Sequence, residues 1–384
     1  MAFSRRLSWD QPANRLSLLI AGKRKAGAEI LELTESNPTR AALVYPDGLL
    51  APLADVRGLT YEPTPQGSKE ARAAVGEYYR GLGVEVPIER VMLTASTSEA
   101  YSYLFQLLAD PGDEILSPRP SYPLFEFLAG LSSVNIRQYP LRYDGSWHVD
   151  FEALETLITA KTRAIVVVNP NNPTGSFLKR DELERLDALA ARHGVAIISD
   201  EVFCDYGFGS GENRAVTLAG ERRALTFSMS GLSKVAGLPQ LKLGWIVASG
   251  PGCGAAMEAL ELIADTYLSV ATPVQVALPS LLGAGAAVRE QISKRTEVNL
   301  ACLRSSLAGS AGGVLNVEGG WYGVVQVTRT YSEEEWTLRL LEEVNVIVQP
   351  GFFFDFESEA YLVLSLLTPA ERFAEGLRRM RAFL

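Results

Sequence analysis

The sequence predicts an α/β fold: a mostly parallel sheet covered by helices, with a smaller α+β domain beside it. Between about residues 90 and 250, short β-branched and apolar runs alternate with helical patterns, which is typical of parallel sheets. After about residue 312 the pattern changes to strand, helix, strand and helix. The 384 residues, 47% of them hydrophobic, are also too many for one compact core.

The larger sheet is predicted from runs that are apolar throughout, as expected of strands that are buried on both faces. The predicted strands are Val91–Thr94, Glu114–Ser117, Arg163–Val168, Val195–Ser199, Ala224–Ser228 and Leu243–Ala248. Helices are predicted over Ser98–Leu108 and Asp181–His193, and residues 255–310 are predicted to be helical.

The smaller domain is predicted from the C-terminal pattern. There, GGWYGVVQV and AYLVLSLL favour strands, and SEEEWTLRLLEEVN favours a helix. We expect a large domain over residues 46–265 and a small C-terminal domain over residues 266–384. Residues 1–45 are expected to form an N-terminal segment that contributes to the small domain.

Composition excludes several classes of function. A net charge of −9 argues against a nucleic-acid partner, and the apolar runs are too short to span a membrane. Cys204, Cys253 and Cys302 lie far apart, have no metal-ligand spacing and are odd in number, which indicates a reducing compartment. The N-terminus shows no signal-peptide pattern. We therefore expect a cytoplasmic protein without a metal site.

The residues that follow the predicted strands are candidates for a binding site, because open α/β sheets bind ligands at the carboxyl ends of their strands. Ser96, Thr97 and Ser98 follow the first run and begin a helix, where free N–H groups suit a phosphate. The same letters also fit a capping box between Ser96 and Glu99, and this alternative stays open.

Two further strand ends carry polar residues. Asn172 lies in NPNNPTG, where two prolines and a glycine predict a stiff turn that offers its amide to a ligand oxygen; an ordinary loop is the alternative. Asp200 follows a fully apolar run, where a buried carboxylate needs a cation. No Lys or Arg adjoins Asp200 in sequence, so a ligand could supply that cation; a solvated strand end or a helix cap is the alternative.

Lys234 lies among small and apolar residues in SGLSKVAGLPQLKLGW. Such surroundings lower the pKa of an amine and make it a nucleophile, although a lysine with its stem on apolar surface is the common alternative. One ligand accounts for the four strand ends, namely pyridoxal 5′-phosphate (PLP). It has an aldehyde for Lys234, a pyridine nitrogen for Asp200, a phenolic oxygen for Asn172 and a phosphate for the Ser96 turn.

The motifs NPNNPTG, SDEV and SGLSK, in this order and spacing, resemble those of the class I/II aminotransferases of PLP fold type I. The resemblance extends from Tyr61 to Phe356. It implies a large PLP-binding domain, a small domain and a homodimer with active sites at the subunit interface. It also implies a Schiff base at Lys234, contacts of Asp200 and Asn172 with the ring, stacking by Tyr122, and phosphate contacts from Ser96, Thr97, Ser233 and, across the dimer, Tyr61.

The chain departs from this family at positions around the cofactor. Phe203 stands where the family usually has a tyrosine that donates to the phenolic oxygen, and Tyr206 is a candidate to compensate. Lys242 stands where the family has a phosphate-binding arginine, and keeps the charge without the bidentate fork. Gly231 stands where a serine is common.

A further departure concerns the substrate. Val363 occupies the position of the arginine that binds the substrate carboxylate in the family. Either another group binds that carboxylate, with Arg40 as a candidate, or the substrate has none there. Arg40 also fits an ordinary surface arginine.

The resemblance implies an aminotransferase that moves an amino group between an amino acid or amine and a 2-oxo acid through Lys234. Two alternatives stay open at this stage. One is a PLP-dependent lyase or another non-transaminating enzyme, since one fold supports several activities. The other is a non-catalytic PLP-binding protein, which would have less need of Asp200.

Overall fold

The computed structural model describes residues 3–9 and 14–383. Its strands are β1 Leu31–Glu32, β2 Val91–Thr94, β3 Glu114–Arg119, β4 Asn135–Tyr143, β5 Trp147–Val149, β6 Thr162–Val168, β7 Ala196–Asp200, β8 Thr226–Gly231, β9 Gly244–Ser249, β10 Gly313–Val314, β11 Tyr322–Gln326, β12 Val346–Ile347, β13 Gln349–Pro350 and β14 Tyr361–Ser365. The helices are α1 Arg15–Lys25, α2 Lys69–Gly81, α3 Thr97–Leu108, α4 Leu124–Leu131, α5 Phe151–Leu157, α6 Arg180–His193, α7 Leu232–Val235, α8 Cys253–Asp265, α9 Thr272–Leu307, α10 Glu333–Val344 and α11 Ala370–Arg381.

The large sheet has the strand order β2-β9-β8-β7-β6-β3-β4-β5. Its centre is parallel, from β8 through β7, β6 and β3 to β4. The antiparallel pairs lie towards the edges, where β9 separates β2 from β8 and β5 pairs with β4. This mostly parallel sheet, covered by helices, confirms the predicted α/β class.

Side chains alternate between the two faces of the large sheet, as the strand period of two requires. Along β7, Ile197 belongs to one hydrophobic cluster and Ile198 to the cluster on the opposite face. Asp200 and Glu201 follow the apolar part of this strand and therefore point to opposite sides of the sheet. Of these two carboxylates, only that of Asp200 points towards α3.

A second, four-stranded antiparallel sheet has the order β10-β11-β14-β13. Beside it, β1 pairs in parallel with β12, so the N-terminal segment joins strands from the C-terminal part of the chain. The domain limits at residues 45 and 265 stay predictions. Residues 1–2, 10–13 and 384 of those domains lie outside the described residues.

The region predicted as helical over residues 255–310 contains two helices, α8 and α9, separated by residues 266–271. The second has 36 residues and accommodates Pro279 in its interior. It contacts α2 at the large sheet and α11 at the small one. None of the helices in the described ranges is both long and apolar enough to cross a bilayer.

Candidate active site

Lys234 lies just beyond the carboxyl end of β8, on the four-residue helix α7. Its Nζ is 4.8 Å from the ring centroid of Trp321 and 5.7 Å from that of Phe203. Within residues 3–9 and 14–383, this amine takes part in none of the ion pairs and donates no hydrogen bond. Burial lowers the pKa of Lys234 to about 8, and the charge of Asp200 opposes that shift.

Asp200 ends β7, the strand that pairs with β8, so it lies near the Lys234 turn. The Tyr101 hydroxyl and the Val202 backbone N–H each donate to its carboxylate at 3.2 Å. Burial raises the pKa of Asp200 to about 6, against the opposing effects of these two donors and of the Lys234 charge. Above that pH, the cleft holds an anion beside an amine.

The NPNNPTG turn follows β6, on the other side of β7. The side chain of Asn171 ties the turn to Pro120 O at 3.0 Å. Gly175 has φ 69°, and a Cβ there would lie 2.4 Å from Gly319 O, so the turn packs closely on the segment before Trp321. The neighbouring Asn172 is buried, and its Oδ1 has no hydrogen-bond partner in the described chain. Its Nδ2 also donates no hydrogen bond in the described chain, so the side-chain amide has a free N–H donor for a ligand oxygen.

The start of α3 leaves backbone donors free. Ser96 is the N-cap, and its Oγ accepts from Glu99 N at 3.2 Å. The Glu99 carboxylate accepts from Ala95 N rather than from Ser96 N, so the predicted capping box is only half formed. In the described chain, the N–H groups of Thr97 and Ser98 donate no hydrogen bond. This arrangement suits an anion.

Two glycines bring the neighbouring strands close to this helix start. A Cβ on Gly244 would lie 3.1 Å from the carbonyl carbon of Ser96, and a Cβ on Gly231 would lie 2.8 Å from Gly244 Cα. A serine at position 231 would therefore need the backbone to move, which accounts for this departure from the family pattern. Ser233, one residue before Lys234, is half-buried on the same turn.

The other predicted cofactor residues are more exposed. Tyr122 is 47% exposed and lies near Tyr322, whose pKa is raised to about 12, mainly by burial. Lys242 is exposed, with φ 50°, and forms no ion pair in the described chain. Tyr61 is 73% exposed on a loop that lines a groove with Leu93 and Tyr103, and makes no contact with Lys234 within one chain.

The structure also gives the positions of Val363 and of the two residues considered as substitutes for missing family groups, Tyr206 and Arg40. Val363 is completely buried on β14, between Val324 and Gln349 on the neighbouring strands. The hydroxyl of Tyr206 donates to the backbone O of Lys234 at 2.5 Å. It is therefore engaged with the main chain and not free to replace the hydroxyl that Phe203 lacks. Arg40 is exposed and lines a groove with Glu35.

The sequence reading missed two residues of this cleft. Tyr101, which donates to Asp200, is one helical turn after Thr97, so the i, i+4 spacing places both on one face of α3. Trp321, in the predicted strand GGWYGVVQV, is completely buried, and its ring also faces Lys234. Strand alternation alone does not distinguish a core tryptophan from one beside a reactive amine.

Residues 31–376 match the family model described as aminotransferase class I and II. The chain is 32% identical over 277 residues to the glutamate-pyruvate aminotransferase AlaA of Escherichia coli strain K12, which covers 70% of this chain and 67% of the relative. It is 30% identical over 370 residues to the arginine–pyruvate transaminase AruH of Pseudomonas aeruginosa, which covers 92% and 90%.

The fold is also similar to solved structures. An alanine aminotransferase from Pyrococcus furiosus superposes with a TM-score of 0.89 at 26% identity, over 100% of this chain and 99% of the other. An aspartate aminotransferase from Thermotoga maritima superposes with a TM-score of 0.85 at 24% identity and 99% coverage of both chains, a likeness of fold alone. In both, the likeness extends over the large and the small sheet.

Proposed function

The chain belongs to the aminotransferase class I and II family, and from that premise we propose that it is a PLP-dependent aminotransferase in which Lys234 is the covalent anchor of the cofactor. The observation that carries this proposal is the state of the Lys234 amine. It faces aromatic rings, forms no ion pair in the described chain and lies close enough to Asp200 for their charges to interact. An amine held in this way is a nucleophile at neutral pH.

The residues present fit PLP. The side-chain amide of Asn172 has no partner in the described chain, so its N–H donor is free, and the free N–H groups at the start of α3 lie beside the close backbone approach of Gly244. We assign the phosphate to Ser96, Thr97 and Ser233 with Lys242, the phenolic oxygen to Asn172 and the ring face to Tyr122. Bound PLP supplies an electron sink for charge that develops on the substrate carbon.

Asp200 would hold a proton on the pyridine nitrogen. Its pKa of about 6 means that the carboxylate is ionised at neutral pH even without a cation beside it. A protonated ring nitrogen would lower that raised pKa, as any nearby opposite charge does. Tyr101 would hold the carboxylate in place.

Lys234 would also move the proton that leaves the substrate carbon. With its pKa lowered to about 8, a useful share of the amine is unprotonated at neutral pH. Once displaced by the incoming amine, its Nζ can accept a proton from the substrate carbon and return it to another atom. The rings of Trp321 and Phe203 keep water from that amine.

The substrates are an amino donor and a 2-oxo acid acceptor. Val363 is part of a buried apolar cluster, so that position offers no cation to a carboxylate. A primary amine, which lacks the α-carboxylate, is therefore a second candidate donor beside the amino acids. We also propose that the enzyme is a cytoplasmic homodimer in which Tyr61 reaches the phosphate of the neighbouring subunit. This rests on the family resemblance and on the exposure of Tyr61.

The anchor can be tested by reducing PLP-saturated protein with borohydride and mapping its peptides. We expect one pyridoxyl adduct, on the peptide that carries Lys234. An adduct on another lysine, or none, would refute the assignment. The Lys234→Ala variant, which cannot form the bond, is the control.

The donor can be tested with pairs that differ only in the carboxylate, such as phenylalanine with phenethylamine and leucine with isoamylamine. The absorbance of the bound cofactor reports conversion to its amine form. Conversion by the amino acids would mean that a group other than residue 363 binds the carboxylate, and conversion by the amines alone would favour the second candidate. If neither class converts the cofactor, transamination of these donors is excluded.

A further inference from the structure

The turn that carries Lys234 is too short to hold itself in place. Helix α7 has four residues, and a helix of one turn fixes several dihedral angles in return for very few hydrogen bonds. Its last carbonyls have little intrahelical pairing, as at every helix C-terminus. Gly237 N approaches Lys234 O only at 3.4 Å.

Side chains from elsewhere in the chain donate to two of these carbonyls and to that of Gly237, just after the helix. The Tyr206 hydroxyl donates to Lys234 O at 2.5 Å, Arg289 Nη1 to Val235 O at 3.2 Å, and the Tyr45 hydroxyl to Gly237 O at 2.7 Å. We call these three donors the carbonyl clamp. They come from the segment after β7, from α9 and from the N-terminal segment.

Two of the clamp members, Arg289 and Tyr45, are themselves held by neighbouring side chains. Asp205 lies 3.7 Å from Arg289 Nε and accepts from the Tyr78 hydroxyl at 3.1 Å. The main chain next to Tyr45 is held by Gln291, which donates to Val44 O at 2.7 Å and accepts from Val44 N at 2.9 Å.

Tyr206 also supports the aromatic wall of the cleft. Its ring meets Trp321 edge-on at 5.2 Å, and Trp321 is the ring under the Lys234 amine. Burial, with the charge of Asp205 as a further cause, raises the pKa of the Tyr206 hydroxyl well above 10, so it remains a donor throughout the working range. One residue thus contacts both the backbone of Lys234 and the ring beside its amine.

We propose that Tyr206, with Arg289 and Tyr45, is a positioning residue that fixes the Lys234 amine between Asp200 and the aromatic wall. The proposal rests on the proposed function in one respect, that Lys234 is the reacting amine. A misplacement of about 1 Å at a reacting group can cost about a hundredfold in rate, which is why a clamp on its main chain matters.

The test measures the amine itself. Lys234 in protein freed of PLP is labelled with formaldehyde and cyanoborohydride over a range of pH, and its peptide is quantified by mass spectrometry. The charged and titratable groups around the turn are Asp200, Asp205 and Arg289 with the hydroxyls of Tyr206 and Tyr45; the Tyr206→Phe and Tyr45→Phe variants change no charge among them.

In wild type we expect the labelling profile to titrate near the lowered pKa of about 8. In each variant we expect the midpoint to rise towards the ordinary value of lysine, because a released turn lets water reach the amine. In the loaded enzyme we expect kcat to fall about tenfold with KM little changed, as for a misplaced group that acts in the transition state.

The matched control is Tyr139→Phe. Tyr139 is also a buried tyrosine whose hydroxyl donates to a backbone carbonyl, that of Val166 at 2.8 Å, but in the interior of the large sheet. It should lose comparable stability without moving the Lys234 profile. If both clamp variants label like wild type, or if Tyr139→Phe moves the profile as much, the clamp is refuted. Failure of borohydride trapping in wild type would instead refute the proposed function.

Discussion

Asp200 and Glu201 are consecutive carboxylates at the end of one strand, but they lie in different surroundings. Asp200 faces the cleft, where two donors at 3.2 Å and the charge of Lys234 only partly offset its burial. Glu201 is completely buried on the other face, and accepts from Thr217 Oγ1 at 2.6 Å, Leu218 N at 2.7 Å and Ser199 Oγ at 2.9 Å.

The difference separates a functional group from a structural one. Around Glu201 the short hydrogen bonds come from the protein itself and hold the loop at residues 217–218 against the sheet. Near Asp200, Asn172 Oδ1 has no hydrogen-bond partner in the part of the chain that the structure describes, and the Lys234 amine is in none of the hydrogen bonds or ion pairs there. Unpartnered polar groups that converge on one cleft indicate that a ligand supplies the missing contacts.

The largest effect is expected from Asp200→Asn, which removes the negative charge from the cleft and leaves the shape almost unchanged. We expect kcat to fall by about 10²–10³-fold, because the ring nitrogen loses the partner that keeps it protonated. Steady-state assays with the best donor would measure this. Activity within about threefold of wild type would contradict the assignment of Asp200, since that is less than one ordinary hydrogen bond.

Next is Glu201→Gln, which tests the structural carboxylate. Burial raises the pKa of Glu201 from 4.5 to about 7, although hydrogen bonds, first among them the one from Thr217, oppose the shift. The folded protein thus binds more protons than the unfolded chain between these values. This contribution to stability is complete below pH 4.5 and is lost as pH rises through 7, a change of about 2 kcal/mol between pH 5 and 8.

We expect the glutamine variant to lack that pH-dependent loss while its activity stays close to that of wild type. Urea unfolding of PLP-free protein at pH 5 and pH 8 would measure the difference. An unchanged pH dependence in the variant would mean that Glu201 ionises normally. A large loss of activity would mean that the two carboxylates are not functionally distinct.

A smaller effect is expected from Phe203→Tyr, which adds to the cleft the hydroxyl that the family pattern has there. We expect the pH at which the bound chromophore titrates to fall by about one unit, because the new donor stabilises the deprotonated form. Absorbance titration would measure it. Phe208→Tyr, a partly buried position outside the cleft, is the control and should leave the titration unchanged.

The smallest effect is expected from Tyr101→Phe. It removes one of the two donors to Asp200, a bond of 3.2 Å, and leaves the Val202 N–H in place. We expect kcat/KM to fall about three- to fivefold and the pKa of Asp200 to rise further, in line with the usual net value of one hydrogen bond. A pH profile with an unchanged acidic limb would show that Tyr101 does not support the carboxylate.

Six of the eight strands in the large sheet were predictable because they are apolar on both faces, and their predicted bounds differ from the observed ones by only a few residues. The other two were not predicted, because β4 is exposed or only partly buried at both of its ends and β5 has only three residues. The strand ends that carry Asn172, Asp200 and Lys234 were also predictable, since parallel strands bring their carboxyl ends to one edge. Sequence periodicity carries no information about which distant segments of the chain pack together.

The carbonyl clamp illustrates that limit. Tyr45, Tyr206 and Arg289 have no common motif and meet only when three separate segments pack together. The break between α8 and α9 was missed in the prediction of one helical region, and Pro279 does not mark it, because the interior of α9 accommodates that proline. The actual break at residues 266–271 is followed by Pro273, which lies in the first turn of α9, where a proline is common.

The pairing of β1 with β12 has a consequence for synthesis of the chain. Leu31 pairs with Val346, and both Leu31 and Leu33 are buried in the finished protein. A ribosome that adds about 5–20 residues per second synthesises the partner strand β12 roughly 15–60 s after Leu31. For that interval an apolar segment near the N-terminus has nothing to pair with, so the nascent protein should depend on chaperones until β12, in the last tenth of the chain, emerges.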